Sequence, residues 1–404
     1  MQATQTSGSI VEPRWGAVAI ALIAGIIAAG HVGKLPPALP SIRADLGMDI
    51  VTAGWLASLF SVTGALTGIF LGAVAGRFHP GRLAVGGLAL MAVAGFCGSM
   101  STSAAQLIVS RFFEGIGFLA VVIAAPSIIA HTTSGRERRT ALGLWPGYMP
   151  AGVSLMILAA PLALHAGGWR TLWVAVAVLA ILGTAGMWLF GQGQRDAHAI
   201  SRIPVWQNIR DGSGRLGPWL IGGCFALYGA QLYAVVTWMP TFMIDERHIG
   251  AAMASALTAA IIVANGGFNV LGSWLLHRGA TPWAMIAVAG ALMALAAFGA
   301  FSTWVPDVAR YVCSVLLCGV GGLIASAVFA AAPSFAASPM QLGIVNGILV
   351  QASNLAQFAG PAALAASVAT FGRWESALWG MVAINVLLIV LAVLLHRKES
   401  PTLG

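Results

Sequence analysis

Residues 15–40 read WGAVAIALIAGIIAAGHVGKLPPALP. Sixteen residues, Trp15 to Gly30, pass without a charge before His31 and Lys34 arrive ahead of Pro36, Pro37 and Pro40. A helix that crosses a hydrocarbon layer of about 30 Å needs roughly 20 apolar residues at 1.5 Å rise each, and this stretch supplies them. Runs of the same kind recur to the end of the 404-residue chain, which is 59% hydrophobic and only 8% charged. An ordinary soluble domain is about 25% charged. The sequence therefore reads as an all-α, polytopic integral membrane protein, with the lipid bilayer as its first partner, and soluble-enzyme readings fall away.

Hydropathy places twelve spans near 16–37, 51–75, 84–101, 105–130, 141–165, 170–190, 218–243, 251–276, 281–303, 309–332, 343–368 and 375–395. An even number puts both ends of the chain on one side. Cytoplasmic loops retain an excess of Lys and Arg. With the termini inside, the cytoplasmic segments hold Arg14, Arg77, Arg82, Arg136, Arg138, Arg139, Arg195, Arg202, Arg210, Arg215, Arg278, Arg397 and Lys398. The opposite side holds Lys34, Arg43, Arg170, Arg247, Arg310 and Arg373. The net charge of +8 is thus an orientation signal and not the footprint of a nucleic-acid partner. The expected location is a cell membrane, the inner membrane of a bacterium, with both termini cytoplasmic.

Cys97, Cys224, Cys313 and Cys318 all fall inside apolar runs without a metal-ligating spacing, so they read as small buried hydrophobes. No cleavable leader is visible, and the first span is expected to serve as an uncleaved signal. The longest connector, Gly191 to Gly217, divides the chain into halves of six spans, 1–190 and 218–404. Punctuation repeats about two hundred residues apart. Gly72 and Arg77 close the second span as Gly272 and Arg278 close the eighth; Pro161 before Gly168-Trp169-Arg170 is echoed by Pro361 before Gly372-Arg373-Trp374. Such duplication predicts two related bundles facing one central cavity.

With these features in place, the stretch GAVAGRFHPGR, Gly72 to Arg82, resembles the loop between spans two and three of the major facilitator superfamily. Gly76 stands where an acidic residue is usual, and the Gly-Arg pair comes two residues late, so the charge latch of that loop is expected to be weak. RFFEGIG, Arg111 to Gly117, is similar to the fourth-span motif, and ALP at Ala38 to Pro40 followed by RADLG to the end of span one. MPAGVS at Met149 to Ser154 and GPAALA at Gly360 to Ala365 resemble the cyanate and nitroimidazole type of carrier. The resemblance implies two six-helix bundles that rock about a site near mid-membrane, with Arg77 and Arg82 at the cytoplasmic gate. It also implies that His31, seven residues before ALP, faces the substrate path. The Gly-Pro-x-x-Gly-Gly signature of proton-driven drug exporters is replaced in span five by Tyr148-Met149-Pro150-Ala151-Gly152, which tilts the reading toward uptake.

The residues themselves allow two readings at each place. His31 and Lys34, three apart, share a helix face. About twenty residues from Trp15, Lys34 is expected near the outer edge of the hydrocarbon, where it either snorkels to water or turns with His31 into the cavity. Arg111 and Glu114 lie deeper, roughly 9 and 14 Å into span four. A lone charge there costs about 2.5–3.5 kcal/mol or more. They either satisfy each other and position helices, or Glu114 takes up a proton and frees Arg111 for an anion. Pro146 and Pro150 predict a bent or locally open span five that gates the cavity, flanked by Trp145 and Tyr148. Span eleven also carries Gln351, and within it Asn346, Ser353 and Gln357 fall within about 40° on a helical wheel, with Asn354 beyond them. That stripe, with Asn265 and Asn269 in span eight and Tyr228, Gln231 and Tyr233 in span seven, serves either interhelical hydrogen bonds or substrate.

Met239, Met243, His248 and Met253 read as packing and not as a copper path. No Walker glycine loop, HExxH or GxSxG occurs, so no ATP-driven step, enzyme activity, metal or cofactor is expected. Lys34, Arg111 and His31 outnumber Glu114, which favours a secondary carrier that brings a small organic or inorganic anion into the cell with protons, acting as a monomer. Efflux of amphipathic drugs is the alternative, and a receptor or assembly factor that has kept the carrier fold without transport is a third.

Overall fold

In the computed structural model, residues 14–74, 79–133, 137, 141, 145–191, 205–302, 304–336 and 339–399 are described, and among them there is no strand. Span one is α1 (Trp15–Gly33) running into α2 (Leu35–Leu46). Span two is α3 (Ile50–Ser58), a 3-10 turn at Leu59–Ser61 and α4 (Val62–Val74). Spans three and four are α5 (Pro80–Ser99) and α6 (Ala104–Thr132). Spans five and six together make up α7 (Tyr148–Phe190), two helices that meet at a non-helical break at Gly167–Gly168, where Gly168 takes the left-handed φ of 73°. The short α8 (Val205–Ser213) lies within the long connector. Spans seven to nine are α9 (Leu216–Asp245), α10 (Ala251–His277) and α11 (Pro282–Phe301). Span ten is α12 (Asp307–Val320) followed by α13 (Gly322–Ala331), and the last two are α14 (Pro339–Phe371) and α15 (Ala377–Glu399).

Among the described residues, ten helical stretches are long and apolar enough to cross a membrane. One of them is the 43-residue α7, which crosses twice, and the 33-residue α14 completes the twelve spans. Large apolar side chains stand outward along the spans, among them Leu66, Leu162, Val270, Leu295 and Trp379. An apolar outer face over a whole helical assembly is what lipid requires.

Backbone contacts fix which ends lie together. Arg14 N–H donates to the Thr132 carbonyl at 3.0 Å, so the start of α1 and the end of α6 share one end, the termini end. At the opposite end Asp45 binds Arg170 at 2.6 Å and Trp169 Nε1 at 3.1 Å. The second half repeats that arrangement. Trp374 Nε1 donates to Glu246 at 3.2 Å, and Arg310 Nη2 pairs with Glu375 at 3.0 Å. The left-handed backbone positions repeat as well, Gly47 with His248 and Gly168 with Gly372. These equivalent turns reverse the chain after spans one, five, seven and eleven, where a right-handed helix must stop within one residue.

α1, α5, α6 and α7 pack on one another, as do α9, α11, α12, α14 and α15 with α10 and α13. The two sets meet along three seams, α4 and α3 on α14, α7 on α10, and α2 on α9. The α4 seam is tight because Gly64 and Gly68 admit Asn354 and Gln351. At the end away from the termini, Arg43 and Asp245 bridge the two sets at 3.5 Å.

Candidate functional site

The expected edge position of Lys34 is corrected by the backbone. Lys34 is itself helical, with φ −69° and ψ −27°, and its N–H donates to Gly30 O at 2.9 Å, so the helix passes through it. Pro36 and Pro37 then occupy the first turn of α2, where a missing N–H has least consequence. The apolar span thus extends from Trp15 to Leu46, 32 residues. Lys34 lies twelve residues before its end, about 18 Å inside at helical rise. Snorkelling is ruled out, since the side chain is fully buried.

Its partner is Glu114. Lys34 Nζ donates to Glu114 Oε1 at 2.6 Å, and Arg111 Nη1 donates to Glu114 Oε2 at 2.6 Å and to the His31 carbonyl at 2.7 Å. His31 Nδ1 stands 3.3 Å from Glu114 Oε1. Spacing of three on α1 and three on α6 brings all four groups to one point. Gly95 of α5 leaves the room, since a Cβ there would come within 3.0 Å of Glu114 Oε1. Two aromatic faces complete the shell, with Lys34 Nζ 4.3 Å from the Trp173 ring and Arg111 4.4 Å from the Phe60 ring. His31 Nε2 and Arg111 Nε are buried without a partner. The expected Arg111–Glu114 pair is therefore present, and Lys34 and His31 are drawn into it.

A cavity of 440 Å³ lies between the two sets of helices. Arg111 lines it and is the one charged side chain among the described lining residues. His31, Lys34 and Glu114 do not line it and lie buried, joined to it through Arg111. Trp145 and Tyr148 form an aromatic wall, their rings stacked at 4.2 Å and 19°. Gly25 of α1 makes the space for that indole. Across from them, Tyr228 and Asn265 exchange hydrogen bonds at 2.9–3.1 Å, and Asn265 also donates to Cys318 O at 2.6 Å. Asn269, Asn346 and Asn354 line the cavity too. The charge comes from the first half, and most of the neutral hydrogen-bonding groups come from the second.

Besides His31 and Lys34, two more expected lining residues lie elsewhere. Gln231 is paired with Asn385 of α15 through two bonds of 2.9 and 3.2 Å, inside the second half. Gln351 accepts from the Ile69 N–H at 3.2 Å in the α4–α14 seam. Both are interhelical ties, one of the two readings the sequence left open. In span five, Pro146 sits in a 3-10 turn, Trp145–Gly147, between helical Ala141 and α7, with Pro150 in the first turn of α7 and 142–144 outside the described residues. Pro150 does line the cavity and faces Gly266 of α10, where an added Cβ would stand 3.6 Å from it. Arg82 is exposed, its N–H bonded to His79 Nδ1 at 3.3 Å, and Arg77 lies outside the described residues.

Ser353, Gln357 and Tyr233, read from the sequence as either interhelical or substrate-binding, line the cavity together with Ser61, which was not singled out. Ser61 Oγ donates to Gln357 Oε1 at 3.3 Å across the halves, and Tyr233 is hydrogen-bonded with Ser353. The span-eleven stripe held the signal for Ser353 and Gln357. Ser61 carried none, because one serine in an apolar run reads as packing.

Comparison with known proteins matches this arrangement to one family. The family model described as Major Facilitator Superfamily matches residues 20–361. The 3-(3-hydroxy-phenyl)propionate transporter of Escherichia coli is 25% identical over 372 residues, 89% of this chain and 88% of that protein. The probable sulfoacetate transporter SauU of Cupriavidus necator is 23% identical over 256 residues, and the match spans 60% of each chain. The cephamycin export protein CmcT of Amycolatopsis lactamdurans is 32% identical over 31% of this chain and 26% of its own. Among solved structures, a bacterial homologue of the human lysosomal transporter Spinster, inward-facing and unoccupied, superposes with a TM-score of 0.78 at 16% identity, covering 94% of this chain and 95% of the other. A twelve-span helical protein with a polar cavity between its halves and no enzyme motif thus takes its place: this chain is a multi-pass membrane transporter belonging to the Major Facilitator Superfamily.

Proposed function

We propose that this transporter is a proton-coupled uptake carrier for small organic anions, working by alternating access. The observation that carries the proposal is Arg111, the lone charge among the described residues of the cavity wall, tied by its inner face to a buried carboxylate that also accepts from Lys34. An anion at the cavity face of Arg111 competes with Glu114 for the guanidinium. Any such exchange changes the charge balance of a buried cluster, and buried imbalance is relieved by moving a proton. The aromatic wall at Trp145 and Tyr148 and the amides of Asn265, Asn269 and Asn346 suit a carboxylate with a flat or partly polar body. Likeness to carriers of hydroxyphenylpropionate and, by its printed name, sulfoacetate supports an anion.

In this reading the bundles 1–190 and 218–404, joined by 191–217, tilt about the α4–α14 and α7–α10 seams. The Arg43–Asp245 bridge opens when the far face does. The excess of basic loop residues favours both termini on the cytoplasmic side of a bacterial inner membrane, and one chain encloses the whole cavity, which supports a monomer. The test is thermal unfolding of the purified protein against a panel of small carboxylates and sulfonates at two pH values. A bound ligand raises the midpoint by mass action. Stabilisation by at least one anion, lost in Arg111→Ala, is expected; no response to any anion at either pH would refute the proposal.

Efflux of amphipathic compounds is the second reading, favoured by the aromatic lining and the likeness to the cephamycin exporter. Protection of a dye-sensitised host on expression would support it over uptake.

A further inference from the structure

The buried quartet does not balance. With His31 neutral, Lys34 and Arg111 bring two positive charges against the single carboxylate of Glu114, and His31, Lys34 and Glu114 are wholly inaccessible. No other titratable group offsets the excess. Lys34 is faced by His31 from α1, by Arg111 and Glu114 from α6 and by the uncharged Trp173 indole from α7. α5 places Gly95 against Glu114 and carries no charged residue after Arg82 near its start, and α2 continues from Lys34 as Leu35, Pro36 and Pro37. A lone charge in such surroundings is costly enough that a group able to shed a proton does so.

We propose that Lys34 is the group that carries the coupled proton, so that one proton and one singly charged anion enter the protein together. The inference rests on the anion reading above. With the cavity empty, the Lys34 amine is neutral and still donates its hydrogen bond to Glu114, leaving a balanced Arg111–Glu114 pair. An anion that settles on Arg111 adds one negative charge. A proton from solution then bonds to the Lys34 Nζ lone pair, and the five groups sum to zero. When the anion leaves, that proton is returned.

The alternatives fit less well. Arg111 does not release a proton in proteins. Protonating Glu114 would balance the charge too, but would replace the carboxylate that accepts from Lys34 and Arg111, each at 2.6 Å, by a neutral acid. Protonating His31 would place a new N–H at Nε2, which is buried with no acceptor. A proton on Lys34 instead lies 2.6 Å from the carboxylate and over the face of Trp173.

Proton linkage to binding tests this directly. Titration calorimetry of the full-length protein with 3-phenylpropionate, in buffers of different ionisation enthalpy, should give uptake of about one proton per anion for the wild type at neutral pH. Lys34→Arg, permanently charged, should bind the anion with no proton uptake. Proteoliposomes supply the arm that needs no variant. Wild-type accumulation of the anion should be unmoved by a valinomycin-set potential, because the loaded carrier moves no net charge. Lys34→Arg should instead respond by up to about fifty-fold per 100 mV. Proton uptake that persists in Lys34→Arg, or voltage-sensitive wild-type accumulation, overturns the assignment while leaving the anion reading intact. Wild-type binding without proton uptake also overturns it. Failure of the wild type to bind any of a panel of carboxylates and sulfonates removes the anion reading, and this inference with it.

Discussion

Replacing Glu114 with Gln tests whether one carboxylate holds the buried cluster together. Glu114 is fully buried and accepts from Lys34 and Arg111, both at 2.6 Å. Glutamine keeps the shape and removes the charge. Lys34, neutral with the cavity empty, loses no counter-charge, but Arg111 stays charged without one, and breaking a buried pair in this way costs about 3–5 kcal/mol. At roughly 2–4 °C per kcal/mol for larger domains, the unfolding midpoint should fall by about 6–20 °C. Arg111→Met should be milder, because Lys34, 2.6 Å from Glu114, takes up a proton and becomes its counter-ion. The double variant Glu114→Gln/Arg111→Met, with no orphaned arginine, should regain about 2 kcal/mol over the sum of the single losses. Thermal unfolding in detergent, followed by the fluorescence of the chain's 14 tryptophans, measures all four corners of the cycle. Two single losses that simply add in the double variant would refute the reasoning, as would a Glu114→Gln protein as stable as the wild type.

Three further outcomes follow from other parts of the fold. Gly115→Ala would drive a methyl group into the Phe60 carbonyl of the 3-10 turn, whereas a Cβ at Gly86 meets nothing within 4 Å; size-exclusion profiles should show loss of folded protein for the first and none for the second. His248 holds a φ of 55°, a conformation that costs a non-glycine residue about 1 kcal/mol, so His248→Gly should raise the unfolding midpoint slightly. Gln231→Leu should destabilise by about 1–3 kcal/mol because it orphans buried Asn385, with recovery in Gln231→Leu/Asn385→Leu and unchanged anion binding in both.

Much of the fold was legible because lipid imposes a simple rule. Each span had to be an unbroken apolar run, and the reversal at Gly167–Gly168 falls between the fifth and sixth runs as hydropathy placed it. Prolines misled where position within a helix mattered. Pro36 and Pro37 read as the end of span one, yet a first-turn proline lacks only an N–H that has no partner, so the helix carried Lys34 into the interior. Periodicity gave the shared faces of His31 with Lys34 and of Arg111 with Glu114, but which helix met which was not in either stretch. Gln231 shows the limit. A polar residue in a span needs a partner, and nothing local distinguishes a partner on α15 from a ligand in the cavity.

The central claim is that protons and an anion share this path. Its most direct measurement is uptake of radiolabelled 3-phenylpropionate, with related carboxylates and sulfonates alongside, into proteoliposomes with an imposed pH gradient. An inward proton gradient should accelerate uptake by the wild type, a protonophore should abolish the acceleration, and folded Arg111→Ala should take up none. Uptake of every anion at the rate of empty liposomes, or uptake indifferent to the gradient, would contradict the account.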